Sequence, residues 1–234
     1  MLNETIAANL AAVRGRIERA ATLSGRPPAA VRLVAVSKTF GIEHVRAAAA
    51  AGQVDFGENR VQEALDKIRD GRDLPGIRWH LVGHLQSNKV RKAVGPISCI
   101  HSVDSVDLLR KIDAAAADIG VHPRLLIQVD LAGETTKHGA PETEVRRIVE
   151  AGGSCTAARL AGLMLLPPLL EDPQEVRPYF RRLRELRDAL VREGADPALL
   201  EDLSMGMSHD FDVAIEEGST IVRVGSAIFG VRHV

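Results

Sequence analysis

Hydrophobic positions along the chain follow two recurring patterns. One is a short unbroken apolar run, as in Leu33-Val-Ala-Val36 with Val31 just ahead. Such a run, with no apolar/polar alternation, predicts a parallel strand covered on both faces. The other pattern places apolar residues three and four apart. Ile6, Leu10, Val13, Ile17 and Ala21 set that spacing in an opening helix. Asn3 is expected to cap this helix, with Glu4 in its first turn. Ser24-Gly-Arg-Pro-Pro28 is expected to end it.

From there the two patterns alternate strictly. Strand 33–36 is followed by helix 43–51, and strand 54–57 by a helix from about 59 to 70. Strand 77–82 leads to a helix starting near Ser87, and strand 97–103 to a Leu- and Ala-rich helix opened by Ser105. After strand 125–129, Pro141 and Glu142 begin the next helix, with proline at a first-turn position. Strand 160–165 and Pro167-Pro168 precede a long charged helix from Pro173 to about 192. A brief strand at 203–205, a helix near 210–217 and strand 221–224 complete the series. Eight strand-plus-helix units imply a parallel sheet, and eight is the number that closes into a barrel. A doubly wound sheet would carry a phosphate-binding glycine fingerprint after its first strand, where this chain has Ser-Lys-Thr. The expectation is a single-domain (β/α)8 TIM barrel over residues 1–234, with residues 1–25 as an extra helix.

Composition narrows the class. A length of 234 residues suits one α/β barrel. The chain is 45% hydrophobic with only one Trp, one Tyr and five Phe, so its core is aliphatic. A formal net charge of −1 argues against a nucleic-acid or membrane-surface protein. Cys99 and Cys155 match no metal or redox spacing and are expected to be packing residues in a reducing cytoplasm. Neither a signal peptide nor a membrane-spanning run is visible.

Chemistry in such a barrel gathers at the carboxyl ends of the strands. Lys38 follows the first strand, and Glu58 and Asn59 the second. Gly83-His84-Leu-Gln86-Ser-Asn88-Lys89 follows the third, and the fourth gives His101 and Asp104. The fifth gives Asp130 and then Glu134-Thr-Thr-Lys137-His138-Gly139. The seventh leads to Ser204-Met-Gly206-Met207-Ser208, and the eighth carries Arg223 before Gly225 and Ser226. Small residues after strands 7 and 8, each ahead of a helix, suit a phosphate, because backbone N–H groups can approach its oxygens there. A lysine opposite a phosphate cup suggests a phosphorylated carbonyl held as a Schiff base. The carbonyl could be a sugar phosphate, as in aldolases, or pyridoxal phosphate. A lysine at a strand end also serves simply to pair with a surface carboxylate.

Val36-Ser-Lys38-Thr39, Phe56-Gly-Glu-Asn59-Arg-Val-Gln62-Glu63 and Trp79-His80-Leu-Val-Gly83-His84-Leu-Gln86-Ser-Asn88-Lys89 resemble the YggS/PROSC family of pyridoxal-phosphate-binding proteins. So do Lys137-His-Gly139, Ser204-Met-Gly-Met-Ser208 and Val222-Arg223-Val-Gly225-Ser-Ala-Ile-Phe-Gly230. The resemblance runs from the first helix to residue 230. It implies a fold-type III barrel similar to the amino-terminal domain of alanine racemase. By this resemblance Lys38 is the aldimine lysine, Ser208, Gly225 and Ser226 hold the phosphate, and Arg223 faces the pyridine nitrogen; Met207, in the loop ahead of Ser208, is counted with the cofactor site. Many relatives carry Thr where this chain has Ser226, which keeps the hydroxyl.

Arg223 has a reading of its own. A guanidinium only donates hydrogen bonds. Facing the ring nitrogen, it keeps that nitrogen unprotonated and the cofactor a poor electron sink. Half of a barrel-interior salt bridge is the alternative. Racemisation needs a second acid/base, which a tyrosine of a separate domain supplies in alanine racemase. The one tyrosine here, Tyr179, falls on an outer helix. Asn59 and His84 are candidates for the cofactor ring, with cap or turn roles as the alternative. His101 and His138 are assigned to separate loops, so no metal site is expected. Lys137 is read as solvated, with a regulatory or second aldehyde-binding role as the alternative. The charged 177–192 helix is read as a solvated face.

The resulting expectation is a monomeric cytoplasmic protein that holds pyridoxal phosphate and hands it to pyridoxal-phosphate-dependent apo-enzymes. The alternatives are a weak amino-acid racemase or lyase, and a cofactor-free Schiff-base aldolase.

Overall fold

The eight apolar runs close into one barrel. The computed structural model describes residues 1–133 and 138–230. In it the strands are β1 (Arg32–Val36), β2 (Asp55–Glu58), β3 (Arg78–Leu81), β4 (Cys99–Val103), β5 (Arg124–Val129), β6 (Arg159–Leu165), β7 (Asp202–Ser204) and β8 (Ile221–Val224). Each pairs in parallel with the next, and β8 pairs back onto β1 with Arg32 facing Ile221 and Ala35 facing Val224. The helices are α1 (Leu2–Leu23), α2 (Ile42–Ala50), α3 (Val61–Asp70), α4 (Val90–Ala93), α5 (Val106–Ile119), α6 (Glu142–Gly152), α7 (Pro173–Arg192), α8 (Phe211–Glu216) and α9 (Ser226–Phe229).

Strand alternation divides the core in two. Ala35, Phe56, Leu81, Ile100, Leu125, Leu163 and Leu203 point outward into the aliphatic layer under the helices. Val34, Cys99, Leu126, Ala161, Met164 and Ile221 form a small apolar cluster inside the barrel. The rest of the interior is polar. Asp55, His80, His101, Gln128, Ser204 and Arg223 are all buried.

α1 buries Ile6, Leu10, Val13, Ile17, Ala20 and Ala21 against α2, α8 and α9. Asn3 does not cap it. The helix begins at Leu2, because Met1 closes the first turn instead: its carbonyl accepts from the Thr5 amide and its amine pairs with Glu4 at 2.8 Å. Ser105 does cap α5, accepting from the Leu108 amide. Pro141 is the cap of α6 rather than a first-turn residue, since its ψ of 158° is extended. The helix expected near Ser87 is a 3₁₀ turn, Ser87–Lys89, followed by the single turn of α4. α7 is less solvated than its charge suggests, because Arg177, Arg181 and Arg184 converge on the buried Glu217. Both cysteines are free thiols, and burial pushes Cys99 up to about 12. Among the described residues no helix is long and apolar enough to cross a membrane.

Candidate functional site

A cavity of about 800 Å³ opens at the carboxyl ends of the strands. Lys38, Asn59, Met207, Ser208, Arg223, Gly225 and Ser226 all line it. Val36, Phe40, Val82, Leu166 and Leu169 give it apolar walls, and His84, Gln128, His138 and Asp210 add polar groups. A smaller hollow of about 420 Å³ lies at the opposite end, where Arg14 and Arg78 are engaged by Gln53 and Asp55.

Lys38 sits one residue past Ser37, where β1 has given out. Its two neighbours are held from α3. The buried Lys67 ammonium donates to the Ser37 carbonyl at 2.7 Å and to Glu58 Oε1 at 2.6 Å, and reaches Glu63 at 3.2 Å. The Ser37 hydroxyl donates to the same Glu58 oxygen at 2.6 Å, and the Thr39 amide donates to Glu63. Burial pushes the Glu58 carboxyl upward, against the pull of Lys67 and Ser37. Thr39 has φ +70°, the one positive value outside glycine among the described residues. A β-branched residue there costs on the order of 1–2 kcal/mol. The clamp from α3 holds that strained turn, and with it the exit direction of Lys38. Glu58 therefore points away from the cavity, toward α3. Sequence reading missed the clamp, although the Glu63-to-Lys67 spacing of four was a visible signal.

The loops after β7 and β8 are stitched together. Gly206 has φ +94°, and a Cβ there would lie 2.6 Å from the Ala214 Cβ, so only glycine fits the turn. The Met207 amide donates to Asp210 Oδ1 at 2.6 Å. Ser208 Oγ accepts from the amides of Gly225 and Ala227 at 3.2 and 3.3 Å. Hydroxyls and amides of both loops thus converge on one end of the cavity. On the facing side, the loops after β2 and β3 touch: a Cβ on Gly83 would lie 2.2 Å from the Asn59 carbonyl oxygen.

Arg223 is 3% exposed. Its Nη1 donates to the Ser204 carbonyl and hydroxyl, both at 2.7 Å, and Nη2 donates to the Leu165 carbonyl at 2.8 Å. Among the described residues it forms no ion pair, so the interior salt bridge is not what holds it. Burial lowers its pKa to about 10, with Asp210 opposing the shift, so it remains a cation at neutral pH. Three of a guanidinium's five N–H donors are spent on protein. Among the described residues the other two meet no protein acceptor, and Arg223 lines the cavity.

The histidines fall differently from expectation. His101 is not on a loop after β4; it lies within that strand, fully buried in the barrel interior. Polar residues stand on both faces of 97–103, Ser98 and Ser102 among them, so the sequence pattern alone did not mark His101 as an inward-facing strand residue. His84 and His138 stack at the cavity with ring centroids 3.7 Å apart, and Asp104 lies 3.5 Å from His84 Nδ1. Burial and the neighbouring His138 lower the His84 pKa. This trio has its donor atoms within 4.8 Å, as does the buried set His80, Cys99 and His101. In the first, near-parallel rings keep the nitrogen lone pairs in parallel planes, so they do not converge on one ion. In the second, the imidazole nitrogens are bonded to Asp55, to each other and to Ser204. Tyr179 lies on α7, away from the cavity. Lys137 and Glu134 lie outside the described residues.

Residues 8–233 match the family model of the alanine racemase N-terminal domain. The pyridoxal phosphate homeostasis protein of Aquifex aeolicus is 44% identical to this chain, over 95% of this chain and 96% of that one. The human protein of the same name is 41% identical, over 95% and 85%. PipY of Synechococcus elongatus, solved with PLP bound, superposes with a TM-score of 0.86 at 40% identity, over 96% of this chain and all of that one. Alanine racemase of Clostridium difficile shares the fold alone, with a TM-score of 0.74 at 14% identity over 58% of its length. The chain therefore belongs to the alanine racemase N-terminal domain family, among the pyridoxal phosphate homeostasis proteins.

Proposed function

We propose that this protein binds pyridoxal 5'-phosphate in the cavity at the carboxyl face of its barrel and takes part in homeostasis of that cofactor. One observation carries the reading. A strand-end lysine, a buried guanidinium with donors to spare, and two stitched small-residue loops line the same cavity. Their chemistry fits the three polar ends of the molecule. When bound, pyridoxal phosphate supplies an aldehyde that condenses reversibly with a primary amine, and a ring nitrogen that draws electrons only when protonated.

Lys38 is the amine. The Ser208 and Ser226 hydroxyls and the Ser226 amide would hold the phosphate, with Gly225 tying the two loops through its amide bond to Ser208 and Met207 shaping the loop through its bond to Asp210. Arg223 donates and does not accept, so it cannot receive a hydrogen bond from a protonated ring nitrogen; this keeps the ring neutral and disfavours carbanion chemistry. Asn59 contributes its side of the wall. No tyrosine lines the cavity among the described residues, which supports holding over turnover. Free cysteines suit a cytoplasmic setting, and pyridoxal-phosphate-dependent apo-enzymes would be the recipients.

The phosphate assignment is tested by comparing two ligands. Ser208→Ala combined with Ser226→Ala should weaken pyridoxal phosphate binding by about 10-fold or more, given the strength of a hydrogen bond to a charged group. Pyridoxal, which has no phosphate, should bind the variant as it binds the wild type. Equal loss for both ligands in a fluorescence titration would remove the loops from the phosphate site.

A further inference from the structure

Arg223 is one end of a longer chain. Its Nη1 donates to Ser204 Oγ at 2.7 Å; Ser204 Oγ lies 3.0 Å from His101 Nδ1; His101 Nε2 lies 2.9 Å from His80 Nδ1; and His80 Nε2 lies 2.9 Å from Asp55 Oδ1. Every member is buried. The chain crosses the barrel interior from the cavity to the strand starts. There Arg78 holds Asp55 through two hydrogen bonds of 2.7 Å.

Its two ends dictate its direction. A guanidinium can only donate, and an ionised carboxylate can only accept. Arg78 and His80 hold the Asp55 carboxyl far below the usual range, so it is ionised. His80 Nε2 must therefore carry a hydrogen. A neutral imidazole has one donor and one acceptor. His80 Nδ1 is then the acceptor, His101 Nε2 the donor and His101 Nδ1 the acceptor for the Ser204 hydroxyl. That leaves the Ser204 oxygen to accept from Arg223. One pattern satisfies every group, and burial, which lowers both histidine pKa values, keeps both rings neutral. Each link turns its lone pair toward Arg223, so aligned dipoles stand where a counter-ion would otherwise sit. A carboxylate in their place would have neutralised the guanidinium.

We propose that Ser204, His101, His80 and Asp55 form a one-way hydrogen-bond chain that positions Arg223 and aims its two unspent donors into the cavity, making the site selective for a ring that presents an acceptor nitrogen. The inference rests on the reading that pyridoxal phosphate binds there with its nitrogen toward Arg223. Ser204, His101, His80 and Asp55 are positioning residues, since none of the four lines the cavity.

Two measurements test it. The first compares affinity for pyridoxal phosphate with affinity for its deaza analogue, in which the ring nitrogen is replaced by C–H. The wild type should prefer pyridoxal phosphate. Ser204→Ala and His101→Leu should each cut that preference by about tenfold while leaving affinity for the analogue unchanged. A merely structural role would weaken both ligands together. The second uses long-range ¹⁵N–¹H spectra of the ligand-free wild type at neutral pH. His80 and His101 should both be neutral with the hydrogen on Nε2, and Asp55→Asn should abolish that single pattern. A preference unchanged in both variants overturns the proposal, as does a wild type without preference, or a protonated or Nδ1–H imidazole at either position. If the wild type binds neither ligand, the cofactor reading fails, and the spectra alone decide the chain. Because they are read on the wild type, a misfolded variant does not blunt the test.

Discussion

Lys38 and Arg223 stand out at the residue scale because each places a charge on an otherwise apolar strand or at its end, where only a functional or paired group is tolerated. That much was legible in the sequence. Thr39 was not: a β-branched side chain gives no warning of positive φ, and the strain is held by a helix twenty-odd residues further along. Arg223 gives the sharpest residue-level prediction. Arg223→Glu replaces a donor with an acceptor that favours a protonated ring nitrogen. The variant should convert bound aldehyde to the amine form when an amino acid is added, seen as a shift in absorbance. Wild-type protein should show almost none, and no α-proton exchange in deuterium oxide. Rapid exchange by the wild type, lost in Lys38→Ala, would turn the reading toward a racemase.

Element placement was read from periodicity, and all eight strands lie where the apolar runs put them, within two residues at each end. The misses have common physical causes. Short segments such as 87–93 carry too few residues for helical spacing to declare itself. A polar residue such as His101 reads as belonging to a strand end, yet β4 buries His101 and Ser102 within the strand itself. α3 shows what an element does beyond covering a sheet. Its Lys67 holds the Ser37 carbonyl and braces Glu63, which holds the Thr39 amide, so Lys67→Met should leave Glu58 buried without its partner. Breaking a buried pair in this way costs about 3–5 kcal/mol. Adding Glu58→Gln should recover a large part of that loss. Pyridoxal phosphate affinity should stay reduced in both variants, because the Ser37 carbonyl loses its donor and the Glu63 carboxylate that holds the Thr39 amide loses its brace. Urea denaturation with ligand titration measures both quantities, and additive single effects would contradict the coupling.

At the scale of the whole molecule, the barrel interior buries His80, His101 and Asp55, and its stability must follow pH accordingly. His80 and His101 have lowered pKa values in the fold, whereas the unfolded chain takes up protons near pH 6.5. The unfolded state therefore gains protons first, and stability falls as pH drops below about 6.5. The slope reaches about 1.4 kcal/mol per pH unit for each histidine. His101→Leu should reduce the slope between pH 6.5 and 5. Asp55 adds a separate loss below about pH 4, since its lowered pKa stabilises the fold only above the unfolded carboxyl value of about 3.9. Flat stability from pH 7 to 5 would contradict neutral interior histidines. The central claim remains covalent capture of the cofactor aldehyde by one lysine. Purified protein mixed with pyridoxal phosphate should turn yellow, and borohydride reduction followed by peptide mass analysis should place the label on Lys38. Lys38→Ala should bleach the protein while its circular dichroism stays unchanged. A label found only on Lys89 or Lys137, with Lys38→Ala still yellow, would contradict the account.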